Sequence, residues 1–154
     1  IEGNTYTLLD TERLLKEHIS AKGKTLDETN MVLNHKKALD FVFKAPEQYK
    51  TLSLAKIEDI HRLLVNDLDV TTGIRNAMVG IVGTNYKPFD NAHQIIEALQ
   101  TLIKVINETE SPIEKALIAV LMIAYIQPFE DGNKRTSRIL GNALLLSADW
   151  CPLS

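Results

Sequence analysis

The chain of 154 residues has one cysteine, little net charge and no long apolar run. Because Cys151 is alone, a disulfide within the chain is excluded, and a reducing compartment such as the cytoplasm is favoured. The formal net charge of −3 provides no general attraction to nucleic acid or to an anionic membrane. The longest apolar runs, of about a dozen residues, are too short to span a bilayer, and no signal-peptide pattern opens the chain. We therefore expect a cytoplasmic globular protein with neither nucleic acid nor membrane as a partner.

Helical periodicity dominates the sequence. Apolar residues make up 45% of the chain and recur at the spacing of an amphipathic helix. The expected helices begin near Asp10, Asp27, Ser53, Asp90 and Ser111 and, for the last helix, just after Asn133. Residues 72–89 differ, since their glycines and β-branched side chains predict a short β-hairpin, called here the flap segment. The predicted fold class is all-α, a helical bundle with one short β-hairpin flap, in a single domain over residues 1–154. Because the sequence opens at Ile1 rather than Met, we expect this domain to be a fragment of a longer protein.

A polar loop, "YIQPFEDGNKRTSR" at residues 125–138, separates two of the most apolar stretches of the chain. Gly132 permits an unusual backbone conformation, and a helix start close to Asn133 exposes free N–H groups that suit a phosphate. Arg135 and Arg138 are three residues apart on one helix face, where their guanidinium groups can bind phosphate oxygens. The carboxylate of Asp131 is a natural ligand for Mg²⁺ beside a phosphate. The loop therefore predicts a site for a Mg²⁺-bound nucleotide or polyphosphate.

Two other interpretations of this loop explain the sequence less well. A solvated helix face with ordinary caps would explain each of these residues singly, but explains the whole set between two core helices less well. A P-loop is excluded, because "GNKRTS" lacks the spacing of that motif and no strand precedes it.

The segment "QPFEDGNKRTSR" resembles the signature of the Fic domain family, H-P-F-x-[D/E]-G-N-[G/K]-R-x-x-R. The matching positions are Pro128, Phe129, Asp131, Gly132, Asn133, Arg135 and Arg138. Similarity extends through "IEGNTYTL", "LNHKKAL", "IHRLL", "GIVGTNYKPF" and "IIEAL", and so covers nearly the whole chain. The resemblance implies a helical domain that transfers AMP from ATP to a Ser, Thr or Tyr hydroxyl of a target protein, with Mg²⁺.

The same resemblance implies roles for individual residues. Asp131 would hold Mg²⁺, Phe129 would be a core residue, and the nucleotide-binding residues would be Gly132, Asn133, Lys134, Arg135 and Arg138. Within this set, Gly132 and Asn133 would line the anion hole, Arg135 would bind the β-phosphate, and Arg138 would reach the γ-phosphate. Thr84, Asn85 and Tyr86 in the flap segment would dock the target by strand addition; the alternative is a plain structural hairpin.

The opening "IEGN" resembles the inhibitory motif [S/T]-x-x-x-E-[G/N] of related Fic proteins, with Glu2 in the glutamate position. Residues 1–22 would then be a partial inhibitory, helical segment. By pairing with Arg138, Glu2 would occupy the guanidinium that the γ-phosphate needs, so that ATP could bind only unproductively. The alternative is a solvated terminal glutamate.

Two positions depart from the family pattern. Gln127 stands where the family has the histidine that takes the proton from the attacking hydroxyl, and glutamine cannot be a general base. Gln127 could still orient the hydroxyl by hydrogen bonding. Lys134 stands where many AMP-transferring members have glycine, and a lysine there occurs in the Doc branch, which is associated with phosphoryl transfer.

Three functional hypotheses follow. The first is a Fic-type protein adenylyltransferase impaired by Gln127, and the second is a Doc-type phosphotransferase. The third is a non-catalytic module that binds nucleotide or a protein partner through this fold, for example as a homodimer. None of the four histidines has metal-ligand spacing, and His35 and His61 are expected to pack in or near the core.

Overall fold

The computed structural model of the protein describes residues 4–80, 83 and 85–153. The described residues form α-helices and one 3₁₀ turn and contain no β-strand, so the all-α prediction is confirmed for them. The helices are α1 (Leu8–Glu17), α2 (Leu26–Lys44), α3 (Leu54–Leu64), α4 (Ala92–Glu108), α5 (Pro112–Ile126) and α6 (Asn133–Leu146), with the 3₁₀ turn at Pro46–Lys50 between α2 and α3. None of these helices, over the residues described, is both long and apolar enough to cross a membrane.

The first two helices begin at threonines rather than at the aspartates that the sequence favoured. Thr7 caps α1, and its side chain accepts from the backbone N–H of Asp10, whose carboxylate accepts from Thr7 in return. Thr25 and Glu28 form the same reciprocal capping box at the start of α2. In a capping box the carboxylate belongs three residues inside the helix, so the acidic residues marked the first turn and not the cap.

Helix α6 is the central element of the bundle. It packs on α5 most extensively, and it also contacts α2, α3 and the 3₁₀ turn. Gly141 permits the close approach of α5, since a Cβ atom added there would lie 2.8 Å from Cγ2 of Val120. Among the described residues, twelve large side chains are fully buried in the core, and Phe129 of the polar loop is one of them. The loop before α6 is therefore fixed by the packing of the core itself.

The flap segment is not a hairpin in the described residues. Its residues 72–80, 83 and 85–89 contain no strand, although Gly83 lies in a turn with φ of 83°. Two short strands without a third strand or a broad apolar face are marginally stable, which explains why the β-branched composition of this segment does not produce a ladder. The predicted hairpin is thus not confirmed, and Thr84 lies outside the described residues, as does Glu2 in the opening segment.

Candidate functional site

The polar loop turns sharply between α5 and α6 because two residues adopt positive φ angles. Gln127 ends α5 in the left-handed region with φ of 51°, and Gly132 precedes α6 with φ of 80°. A Cβ atom on Gly132 would meet the side chains of Val65, His61 and Arg135 only at ordinary contact distances of 3.5 Å or more. Glycine is therefore required at position 132 by the backbone angle rather than by lack of space.

Asn133 fixes the loop from its C-terminal side. Its Oδ1 accepts from the backbone N–H of Phe129 at 2.9 Å, and its Nδ2 donates to the carbonyl oxygen of Phe129 at 2.8 Å. The same Nδ2 donates to Oε1 of Gln127 at 3.0 Å. Asn133 is 5% exposed, so this side chain is part of the buried framework of the loop.

Both ends of the Gln127 amide are engaged inside the protein. Besides accepting from Asn133, its side chain donates from Nε2 to the carbonyl oxygen of Ala124 at 2.6 Å. The residue is 9% exposed. These two hydrogen bonds connect the end of α5 to the start of α6. The amide of Gln127 is therefore less free to orient a substrate hydroxyl than the sequence suggested.

His61 supports the loop from α3. Its ring stacks on Phe129 with centroids 3.8 Å apart and an interplanar angle of 5°. Its Nε2 lies 3.0 Å from the carbonyl oxygen of Asp131. Burial lowers the pKa of His61 to about 4, so the ring is neutral at physiological pH and Nε2 carries the proton that the carbonyl accepts. The prediction that His61 packs in the core is confirmed, since its side chain is fully buried.

The charged pair of the site is Arg135 and Asp131. Nη2 of Arg135 lies 2.8 Å from Oδ2 of Asp131, and the two side chains are 6% and 63% exposed. Within the described structure the buried Nη1 atom of Arg135 has no hydrogen-bond partner. A buried guanidinium with one unused donor, beside the positive end of a 14-residue helix, favours an anion as the missing acceptor.

The two other predicted phosphate-binding side chains lie on the open side of α6. Lys134 and Arg138 are both exposed, and Arg138 follows Arg135 by three residues. Burial, together with the positive charges of Arg135 and Arg138, lowers the pKa of His35. His35 itself is half-buried on α2.

The flap residues that the structure describes approach the site from the α5 side. Asn85 is exposed, and the ring of Tyr86 stacks on Tyr125 with centroids 4.4 Å apart. Burial and a hydrogen bond with Tyr125 raise the pKa of Tyr86 to about 12, so its phenol stays protonated at neutral pH. Tyr125 lies two residues before Gln127, which brings this part of the flap segment near the motif.

Sequence reasoning missed two residues that support the site. His61 bonds to a residue 70 positions away, and Arg75 donates from its side chain to the backbone of Gln127, 52 positions away. No local pattern reports contacts over such separations. Histidine and arginine side chains are usually exposed or paired, so the burial of His61 and Arg75 in the fold is what identifies them as supporting residues.

Comparisons with known proteins show which family this chain resembles. The Fic/DOC family model matches residues 51–145, more than half of the chain. Relatives named protein adenylyltransferase Fic are similar, at 32% identity in Drosophila mojavensis and 31% in Drosophila melanogaster, over 99% of this chain. The chain spans only 31% and 32% of the length of those relatives. The solved structure of Fic-1 from C. elegans superposes with a TM-score of 0.81 at 28% identity, covering 99% of this chain and 46% of that one.

Proposed function

The chain belongs to the Fic/DOC family, and we propose that it is a protein adenylyltransferase that transfers AMP from ATP to a Ser, Thr or Tyr hydroxyl of a target protein. The observation that supports this most directly is the buried guanidinium of Arg135 at the start of α6, with Nη1 unpartnered among the described residues. A helix start with a buried arginine is suited to phosphate. The names of the similar relatives support the transferred group.

The nucleotide phosphates would lie across the start of α6. Gly132 and Asn133 would offer backbone N–H groups to the α- and β-phosphates, and Arg135 would bind the β-phosphate. Arg138, one turn further along an exposed face, would reach the γ-phosphate. Lys134 would add a positive charge at the edge of this site.

Asp131 would be the protein ligand of a Mg²⁺ ion that arrives with ATP. Its carboxylate is 63% exposed and adjoins Arg135, so it lies beside the proposed phosphate positions. In the part of the chain described, no three His, Cys, Asp or Glu side chains cluster as a metal site. A single carboxylate fits Mg²⁺, which usually completes its coordination with phosphate oxygens and water. Bound there, Mg²⁺ would neutralise charge on the phosphates.

The proposed reaction forms a bond between the hydroxyl oxygen of the target and the α-phosphorus of ATP. The bond from that phosphorus to the bridging oxygen breaks, and pyrophosphate leaves. The hydroxyl proton would pass to solvent water, because the amide of Gln127 cannot accept it. We therefore expect turnover about 10²–10⁴-fold below that of a Gln127→His variant. The rate acceleration that remains would come from positioning of the reactants and from stabilisation of charge.

The target would dock on the flap segment. Thr84, Asn85 and Tyr86 are the proposed contacts, of which the exposed Asn85 and the stacked Tyr86 are described. An extended peptide could add to this segment through backbone hydrogen bonds, which give affinity without strong dependence on the target sequence. A cytoplasmic location and assembly as a homodimer remain predictions from the sequence.

We further propose that Glu2 inhibits the site by pairing with Arg138. The residues that follow it are held on α2: the side-chain amide of Asn4 donates to the carbonyl oxygen of Glu28 at 2.6 Å, and the backbone N–H of Thr5 donates to Oε1 of Glu28 at 3.1 Å. A tethered segment loses less entropy when it binds nearby than a free one does. Glu2→Gly should therefore raise any residual transfer activity, and unchanged activity would count against this inhibition.

The second candidate function is Doc-type phosphoryl transfer, which the lysine at position 134 favours. Its charge and bulk near the phosphates would support the opposite orientation of ATP, with the γ-phosphorus next to the hydroxyl. Arg138 favours AMP transfer instead. A third candidate, a non-catalytic nucleotide- or protein-binding module, is favoured by Gln127 and disfavoured by the intact phosphate-binding set.

Calorimetric titration with ATP and Mg²⁺ tests the proposed nucleotide site without requiring catalysis. In the Glu2→Gly background, where Arg138 would be free to reach the γ-phosphate, Arg138→Ala should weaken ATP affinity by about 10-fold or more, since hydrogen bonds to charged groups contribute about 1.5–3 kcal/mol. Arg62→Ala is the matched control, because Arg62 is an exposed arginine on α3 whose partner is Asp59. Equal affinities of the two variants would contradict the assignment of Arg138.

A further inference from the structure

Arg75, near the start of the flap segment, is buried and bonds to backbone atoms at three separate places. It is 4% exposed. Nε donates to the carbonyl oxygen of Gln127 at 2.6 Å, Nη1 to that of Ala77 at 2.7 Å, and Nη2 to that of Phe89 at 2.7 Å. Its backbone N–H donates to the carbonyl oxygen of Pro128 at 3.0 Å. One residue thus joins both ends of the flap segment to the first two residues of the motif.

The chemistry of this contact requires an arginine. A guanidinium has five donors in a rigid fork, so a single side chain can satisfy carbonyl groups that lie in different directions. A lysine has one nitrogen and cannot span the three carbonyl oxygens. Burial lowers the pKa of Arg75, and the charge of Asp90 opposes this. Among the described residues, no carboxylate forms an ion pair with Arg75. The positive charge of Arg75 is therefore stabilised by backbone carbonyl groups, and this stabilisation requires that those carbonyl groups keep their positions.

The contact closes the flap segment into a loop. Ala77 lies in the first third of that segment and Phe89 is its last residue, yet their carbonyl oxygens accept from neighbouring nitrogens of the same guanidinium. The described residues between them form no strand ladder, and most of them are exposed. Loss of the guanidinium would therefore release both ends of the loop together, and would also release the carbonyl of Gln127.

We propose that Arg75 is a positioning residue that sets the distance between a target docked on the flap segment and the reacting end of the motif. The inference rests on the proposed function, since it names how the acceptor hydroxyl is brought to the nucleotide. Arg75 itself touches neither substrate. A shift of the docked hydroxyl by about 1 Å can reduce a transfer rate about 10²-fold. The hydrogen bonds of Arg75 would therefore affect the transfer rate although Arg75 does not contact the substrates.

Hydrogen–deuterium exchange tests the contact independently of activity. In Arg75→Lys, amides in residues 76–80, 85–89 and 127–133 should exchange at least about tenfold faster, because the local opening becomes easier, while amides of α4 should not change. Arg62→Lys is the matched control. If Arg75→Lys does not fold, the Nε proton of Arg75 in the unsubstituted protein provides the test by NMR. Rapid exchange of that proton, or unchanged exchange in folded Arg75→Lys, would overturn the proposal.

Kinetics in the Gln127→His, Glu2→Gly background test the positioning role, with self-modification as the readout. Adding Arg75→Lys should reduce self-modification by about 10-fold or more while the KM for ATP changes less than about threefold, since the nucleotide site lies on α6. A parallel loss of ATP affinity, or no loss of labelling, would overturn it. If Gln127→His with Glu2→Gly transfers no label, the proposed function fails, and the exchange experiment still decides whether Arg75 holds the flap segment.

Discussion

Replacing Asn133 with alanine is expected to destabilise the protein because this side chain holds the backbone of the polar loop. It accepts from the N–H of Phe129 at 2.9 Å and donates to the carbonyl oxygen of Phe129 at 2.8 Å. It also donates to Oε1 of Gln127 at 3.0 Å. Phe129 is fully buried, so alanine at position 133 would leave both of its backbone groups without a partner and without water.

The loss of stability in Asn133→Ala follows from the number of buried backbone groups that lose their hydrogen-bond partner. Each buried backbone group left unsatisfied costs about 1–3 kcal/mol, and Gln127, at the edge of the site, can reorient toward solvent. The two groups of Phe129 together give about 3 kcal/mol after allowing about 0.5 kcal/mol for the better helix propensity of alanine. For a chain of this length the expected fall in the unfolding midpoint is about 6–12 °C.

Thermal unfolding followed by circular dichroism measures this effect. The matched control is Asn142→Ala, which lies on the same helix and removes one hydrogen bond from the exposed N–H of Leu153. That control should change the free energy of unfolding by less than about 1 kcal/mol, because water replaces the lost acceptor. If Asn133→Ala lowered the midpoint no more than Asn142→Ala, the account of the loop framework would be wrong.

Two glycines and one histidine provide further predictions. Gly141→Ala would place a Cβ atom 2.8 Å from Val120 and should cost about 1–3 kcal/mol by urea unfolding, with partial rescue by Val120→Ala; no rescue would argue against the steric cause. Gly132→Ala should cost about 1–2 kcal/mol through its φ of 80°, and Gly132→Asn less, since asparagine tolerates that region; equal losses would contradict this. His61 has its pKa lowered from 6.5 to about 4 in the fold, so the unfolded chain binds the proton first and stability falls as the pH drops from 6.5 to 4. His61→Gln should show a shallower loss of stability over that range, and identical pH profiles would refute the assignment.

The sequence predicted those parts of the fold that depend on local pattern. The apolar spacing predicted the helices, and Gly132 with Asn133 predicted where α6 begins. Helix starts failed where a threonine and an acidic residue three positions later cap each other, because the acidic residue alone resembles a cap. The hairpin prediction used composition, but the described flap segment is held by Arg75 rather than by a strand ladder.

In the candidate site, too, local contacts could be predicted from the sequence and long-range contacts could not. The motif brought Asp131, Gly132, Asn133 and Arg135 together, as neighbours around one helix start must be. What the sequence could not indicate was pairing at long range, such as the stack of His61 on Phe129. That contact depends on how helices pack rather than on spacing along one helix. The pair of Arg135 and Asp131, at 2.8 Å, joins residues four positions apart and is therefore a contact that spacing could have indicated. This pair must be opened or shared when phosphate and Mg²⁺ bind.

The measurement that tests the central claim most directly is label transfer from ATP with Mg²⁺, using α-labelled and γ-labelled ATP in parallel. This chain and its Gln127→His variant are compared, with self-modification as the readout. The account predicts label from α-labelled ATP only, rising about 10²-fold or more with histidine. Label from γ-labelled ATP only would identify a phosphotransferase, and no label from either, even in Gln127→His with Glu2→Gly, would contradict the claim that this site transfers a nucleotide.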